Sequence, residues 1–417
     1  MSNEVITFGC RLNSFESEII SQNLESSNIN NAVIFNTCSV TKEAERQAKQ
    51  AIRKYIRENP ENKVIITGCA AQIDPTSYQN IDGVDKVIGN EEKLNPETYS
   101  NNLFSTDSEK ILVNDIMSVK ENAPHLISSM QEKARAFIQV QNGCNHRCTF
   151  CIIPYGRGNS RSVSIGDIVK QGNLLVENGY NEIVLTAVDM TSYGEDLPGN
   201  PTLGDMVKRF LNLVPKLQRL RLSSIDVAEI DDVLLDLIIN EKRLMPHLHL
   251  SLQAGDDMVL KRMKRRHTRQ QAIDFCKKVK SHRPDVIFGA DIIAGFPTET
   301  DEMFENSLKM VEEISIPHLH VFPYSKREGT PAEKIPENKQ VPKQIRKDRA
   351  AKYRNLASKQ LEELQKSISG TTQKIVIESN NIGRTEQFLQ IQLNNKYPIG
   401  SVAECYVTYE GGKLVEA

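Results

Sequence analysis

Cysteine spacing is the tightest constraint on this chain. Cys144, Cys148 and Cys151 form a C-x3-C-x2-C array inside Gln141-Asn-Gly-Cys-Asn-His-Arg-Cys-Thr-Phe-Cys-Ile-Ile-Pro154. Thiolates this close suit a soft metal centre, and 4Fe-4S clusters are held by cysteine thiolates. No fourth cysteine lies in the run, so a cluster here leaves one iron open to another ligand. Zinc is the competing reading, but zinc sites take four ligands, commonly from paired C-x2-C or Cys/His sets. His146, the nearest candidate for a fourth, lies between the first two cysteines, where it would strain a tetrahedral site. The apolar pair Ile152-Ile153 supplies part of a wall against water.

The N-terminal third repeats the theme from distant sequence. Three apolar runs each end on a cysteine: Val5-Ile-Thr-Phe-Gly-Cys10, Ala32-Val-Ile-Phe-Asn-Thr-Cys38 and Val64-Ile-Ile-Thr-Gly-Cys69. Helical patterns lie between them. Leu12, Phe15, Ile19 and Ile20 share a stripe with Glu16 and Glu18 on other faces, and Thr41–Arg57 forms a longer helix that stops near Pro60. Strand–helix alternation means a parallel sheet, and ligands of such sheets collect at the carboxyl ends of the strands. Cys10, Cys38 and Cys69 are therefore expected to converge. A single one of them would read as a small buried hydrophobe. Three at successive strand ends read as a second metal site. Pro96–Leu126 is polar and weakly patterned, and is expected to hold a closing strand at Ile111–Val113 and a linker.

From Ala134 the alternation resumes, with strands expected at 136–140, 182–186, 219–222, 247–250, 287–292 and 318–322. Six such units fit a partial (β/α)6 barrel, whose functional residues belong at carboxyl strand ends. Those ends carry Asp189, Ser223, Asp226, Gln253, Gly255, Asp291, Gly295 and the stretch Pro323–Thr330. Ser223 and Gln253 are the candidates for polar contacts to a bound cofactor. No Gly-Gly-Glu stretch follows the first of these strands. After Gly370 the period changes to two, as in a small antiparallel barrel. The expected division is 1–125, 126–368 and 369–417.

Composition matters mainly through its distribution. The 417 residues are 39% hydrophobic and 25% charged, with a formal net charge of −2. Residues 1–125 hold 12 Lys and Arg against 18 Asp and Glu, whereas residues 126–368 hold 36 against 31. The positive charge gathers in the middle. Lys261–Arg269 has six cations and no acid, and Lys343–Arg354 has six and one. Either run alone is as readily a solvated helix face. Two together favour a phosphate backbone as partner. No apolar run is long enough to span a membrane, and no signal peptide is visible at the N-terminus. Six of the eight cysteines read as metal ligands in a reducing, cytoplasmic compartment, and Cys276 and Cys405 as buried structural thiols.

Phe150 just before the last cysteine, Asn142-Gly143 before the first, and Ile152-Ile-Pro-Tyr-Gly-Arg-Gly158 after the last carry a resemblance to the radical S-adenosylmethionine methylthiotransferases. Thr7–Glu18, Asn36–Thr41 and Thr67–Cys69 resemble the N-terminal domain of that family, and Ser251-Leu-Gln-Ala-Gly255 with Met263–Thr268 matches its pattern further on. The last fifty residues resemble its RNA-gripping TRAM domain. The resemblance implies two 4Fe-4S clusters, S-adenosylmethionine bound at the open iron of the Cys144/Cys148/Cys151 cluster, and sulfur carried at the open iron of the Cys10/Cys38/Cys69 cluster. It also implies a reductant for the clusters and an RNA partner, the anticodon stem-loop of tRNA. Within the family, Cys38–Arg53 and His320–Thr330 look like the branch acting on N6-threonylcarbamoyladenosine in tRNA. The alternatives are isopentenyladenosine in tRNA and an aspartate of a ribosomal protein. A zinc-containing RNA-binding protein is the non-enzymatic alternative.

Overall fold

The computed structural model describes residues 3–105, 108–120, 126–127, 130 and 134–417. It divides into two compact units: Met1–Ile127 with Gln141–Ser162 and Ser325–Glu333, and Ser128–Val140 with Val163–Tyr324 and Lys334–Ala417. The expected boundary near residue 125 falls outside the described residues.

The first unit is built on a five-stranded parallel sheet: β1 (Glu4–Thr7), β2 (Ala32–Thr37), β3 (Lys63–Gly68), β4 (Lys86–Ile88) and β5 (Ile111–Leu112), in that order. The inner strand β2 is buried along its whole length. That is why it reads as a continuous apolar run, since both faces of a parallel sheet are covered. Helices Arg11–Glu25 and Lys42–Glu58 make the crossovers. Thr41 caps the second of these through its hydroxyl, which accepts from the Ala44 amide. The first helix is buried on more than its apolar stripe. Glu16 and Glu18, on other faces than the apolar stripe, are buried as well, and Glu16 meets two buried cations, Arg157 and Lys93.

In the second unit six parallel strands follow in chain order. β6 (Ala136–Gln139), β7 (Glu182–Thr186) and β8 (Arg219–Leu222) form one sheet; β9 (His247–Gln253), β10 (Ile287–Ala294) and β11 (His318–Pro323) form another. Single bridges, Leu220 to Leu244 and Ile225 to Leu250, join the two edges. The outward side chains pack under helices such as Leu203–Leu213, Arg269–His282 and Asp301–Ile314 in one core that includes Leu185, Phe210, Leu250, Phe288 and Val311.

The C-terminal stretch is a closed barrel of β12 (Thr371–Ser379), β13 (Ile382–Thr385), β14 (Gln390–Gln392), β15 (Val402–Glu410) and β16 (Lys413–Glu416). The turn between β13 and β14 is applied to the amino ends of the parallel strands. Arg219 and Arg221 donate to the Thr385 carbonyl at 3.1 and 2.8 Å. Phe388, held at φ +70°, stacks on His247 with ring centroids 5.1 Å apart and lies under the guanidinium groups of Arg384, Arg221 and Arg135. Three arginines gather here because Glu182 binds Arg135, Arg219 and Arg221 at 2.7–2.9 Å.

Candidate functional site

The three strand-end cysteines of the first unit do converge. A Cβ on Gly9, whose φ is +100°, would stand 2.7 Å from Cys38 Cβ and 2.9 Å from its Sγ. Only glycine lets the loop carrying Cys10 approach Cys38 this closely. Gly68 plays the same part before Cys69, where a Cβ would meet the Thr37 carbonyl at 2.3 Å. Burial pushes the Cys38 thiol up to about 12, and the charges of Cys69 and Cys10 push in the same direction. Three crowded thiolates need a cation among them, which is the condition a metal cluster satisfies. Asn13 ties the set together. Its Nδ2 donates to the carbonyls of Phe8 and Thr37 at 2.7 and 3.0 Å.

The second set also lies in this unit. Gln141–Asn142 pairs antiparallel with Arg161–Ser162, and the loop between them carries Cys144, Cys148 and Cys151, all partly exposed. The loop is held by its backbone. Cys144 N–H donates to the Gly158 carbonyl at 3.1 Å and Cys151 N–H to that of Cys148 at 3.0 Å. Gly143 is obligatory, since a Cβ there would sit 1.9 Å from the Asn159 oxygen. The residues after the loop form the helix Ile153–Arg157, and Ile152 is buried. Of the stretch Pro323–Thr330, expected at a barrel rim, the residues from Ser325 onward fold with this unit instead, within Ser325–Glu333. The Ala332 amide donates to the Thr149 carbonyl at 2.8 Å, and Arg327 pairs with Glu45.

The side chain that sequence reasoning missed is Arg157. It is buried, and its Nε donates to Cys69 Sγ at 3.1 Å. Its Nη2 donates to Glu16 Oε2 at 2.9 Å and to Asn13 Oδ1 at 2.5 Å, and its Nη1 also pairs with Glu16. Lys93 Nζ donates to the same Glu16 Oε2 at 2.7 Å. Burial works against the Arg157 charge, but Cys69 and Glu16 override it. The available signal was an Asn and a Glu three residues apart after Cys10, with an arginine closing the second motif.

In the second unit, Ser223 and Gln253 stand at the carboxyl ends of β8 and β9. Ser223 is buried and its hydroxyl has no hydrogen-bond partner among the described residues. An orphaned buried hydroxyl fits a group that accepts a ligand's hydrogen bond. Gln253 adopts φ +68°, a left-handed conformation uncommon for a residue other than glycine. Nearby, Asp226 is pushed up by burial yet held at about 2 by His267 and Arg265. Asp291 accepts from His249 Nε2 at 3.0 Å and from His320 Nδ1 at 3.2 Å. Cys276 and Cys405 are buried, as expected of structural thiols.

The basic runs are mostly spent inside the fold. Arg265 binds Asp226 at 2.7 Å, Arg269 binds Glu313 at 3.2 Å, and Arg266 pairs with Glu229. Arg349 is buried against Glu299 at 2.6 Å, and Arg262, Arg346 and Arg354 donate to carbonyls. Lys352 has an exposed pair with Glu305. Lys261, Lys264, Lys343 and Lys347 are exposed and make no ion pair among the described residues.

A C-x3-C-x2-C loop that follows the first of six parallel strands defines a radical S-adenosylmethionine protein. The Radical SAM superfamily matches residues 138–311, and Uncharacterized protein family UPF0004 matches residues 3–89. A methyltransferase of the same class, TsrM from Kitasatospora setae, superposes with a TM-score of 0.58 over 80% of this chain and 77% of its own, at 12% identity. That likeness speaks for the fold alone. The Threonylcarbamoyladenosine tRNA methylthiotransferase MtaB of Rickettsia prowazekii (strain Madrid E) is 58% identical over 96% of this chain and 94% of its own. The MtaB of Aquifex aeolicus (strain VF5) is 33% identical over 96% and 98%. The chain belongs to the MtaB family of tRNA methylthiotransferases. The cofactors of this family are 4Fe-4S clusters, two per chain, and S-adenosylmethionine.

Proposed function

We propose that this protein methylthiolates C2 of N6-threonylcarbamoyladenosine beside the tRNA anticodon, giving the 2-methylthio nucleoside. One observation carries the reading: two separate three-cysteine sets in one compact unit, each one ligand short of a closed four-iron site. The kinship with MtaB proteins over nearly the whole chain points to the nucleoside. When bound, the clusters and S-adenosylmethionine supply one-electron chemistry, which an aromatic C2–H needs because it is too strong and too weakly acidic for a general base.

The rest falls to the chain's own residues. Cys144, Cys148 and Cys151 hold the cluster that serves S-adenosylmethionine, and Ile152 keeps water from it. Cys10, Cys38 and Cys69 hold the cluster that serves sulfur. Ser223 and Gln253 give S-adenosylmethionine its polar contacts. The division of labour follows residues 1–125 for sulfur, 126–368 for radical generation and 369–417 for the closing barrel. The setting is the cytoplasm, with a separate electron donor. No helix among the described residues is long and apolar enough to cross a membrane.

Nucleoside mass spectrometry of total tRNA, with and without the gene, tests the proposal. The expected result is loss of 2-methylthio-N6-threonylcarbamoyladenosine and accumulation of its unthiolated precursor. Loss of the methylthio group from isopentenyladenosine instead would move the substrate to that nucleoside. No change in either would point to the ribosomal-protein aspartate.

A further inference from the structure

Arg157 is joined through the helix Ile153–Arg157 to the loop of one cysteine set, yet its guanidinium ends on a cysteine of the other. Its Nε–H points at Cys69 Sγ from 3.1 Å. The group is locked from the remaining sides by Glu16 and Asn13, so it is aimed before anything binds. Glu16 is shared with Lys93, whose Nζ also donates to Asn90 Oδ1 at 2.7 Å. Asn90 in turn donates to the Gly156 carbonyl, one residue before Arg157. Two basic side chains are thus buried with one carboxylate against the Cys10/Cys38/Cys69 set. Hydrogen bonds to cluster sulfurs and nearby charge set the reduction potential of an iron–sulfur centre.

We propose that Arg157 is a positioning residue for the Cys10/Cys38/Cys69 centre, and that its N–H bond to Cys69 Sγ raises that centre's reduction potential. The inference rests on the assignment of those three cysteines as cluster ligands. The donor draws electron density from the ligating sulfur, and the buried positive charge favours the form that carries one more electron. Because Arg157 leaves the helix that follows Cys151, the potential of the sulfur-bearing centre also depends on the folded state of the other loop. Glu16 sets the size of the effect, since it offsets part of the positive charge.

The test is redox titration of the anaerobically reconstituted full-length protein, followed by electron paramagnetic resonance. The signal that S-adenosylmethionine does not perturb reports the Cys10/Cys38/Cys69 centre. Arg157→Gln is expected to lower the reduced-to-oxidised ratio of that centre about tenfold at fixed applied potential, which is about 59 mV for one electron. Glu16→Gln is expected to move the ratio the opposite way. The signal from the other centre should stay in place in both. A wild-type ratio in a variant that carries both clusters overturns the proposal, as does a shift of the same sign in both variants. Should Arg157→Gln leave the second site empty, Arg157→Lys, which keeps the charge but loses the aimed N–H, is read in its place by the same criterion. Iron analysis of the wild type separates the layers. Iron for one cluster only would sink the ligand assignment, whereas iron for two with unmoved ratios sinks the role of Arg157 alone.

Discussion

At the scale of single residues, the two cysteine sets differ in how they are held, and the difference predicts separable failures. Cys38 is buried among charged neighbours, with its thiol pushed up to about 12 by burial and by the other cysteines. Without a cluster such a group stays protonated and inert. Cys144, Cys148 and Cys151 are partly exposed on a loop fixed by backbone hydrogen bonds. Cys38→Ala is therefore expected to preserve cleavage of S-adenosylmethionine to 5′-deoxyadenosine and to stop sulfur transfer. Cys144→Ala is expected to abolish both. Chromatographic measurement of deoxyadenosine beside thiolated tRNA checks the pair. Thiolated product from Cys38→Ala would end the two-centre division of labour. Gly143→Ala belongs with Cys144→Ala in outcome, because the added methyl group collides with the Asn159 carbonyl.

Among elements, the seam between the C-terminal barrel and the parallel strands is polar, and its stability is tied to pH. Burial lowers His318 from 6.5 to about 4, so the seam holds it neutral, near the Gln387 carbonyl at 3.2 Å. Burial raises Glu182, but Arg221, Arg219 and Arg135 prevail and hold it at about 2. In both cases the unfolded chain binds more protons as acid is added. The His318 contribution is complete above pH 6.5 and is lost as pH falls toward 4; that of Glu182 is complete above 4.5 and is lost toward 2. Thermal melting at pH 7.5 and at pH 5 is expected to show a drop that His318→Gln reduces. An equal drop in that variant would remove His318 from the account.

For the whole molecule, charge distribution yields a prediction about RNA. Eight of the twelve cations in the two basic runs are engaged within the fold, which leaves Lys261, Lys264, Lys343 and Lys347 exposed for phosphates. Each phosphate neutralised on single-stranded nucleic acid adds about 0.7 to the log–log dependence of affinity on salt. Replacing these four lysines with alanine is expected to reduce the slope by about 3 in a binding titration against unmodified anticodon stem-loop. An unchanged slope would place the RNA on another face. Metal analysis of the same preparation is expected to give about eight irons per chain, and zinc alone would return the protein to the non-enzymatic alternative.

Sequence by itself determined a great deal here, for a local reason. The C-x3-C-x2-C loop is contiguous, and the strands Ala32–Thr37 and Lys63–Gly68 end on their cysteines, so spacing and strand order were enough to find six candidate ligands and an α/β frame. The period-two pattern after Gly370 likewise marked the C-terminal barrel, which five strands close. Tertiary structure alone decided the electrostatics. Glu16 lies off the apolar stripe of its helix, and only the fold brings Arg157 and Lys93, distant in sequence, to it. The two basic runs look like a nucleic-acid surface until Asp226, Glu229, Glu299 and Glu313 take up their charges. Phe388 carries no pattern at all until the arginines around Glu182 surround it. Periodicity records which face of an element is buried. The partner that makes a buried charge tolerable is chosen by the packing of elements far apart in the chain.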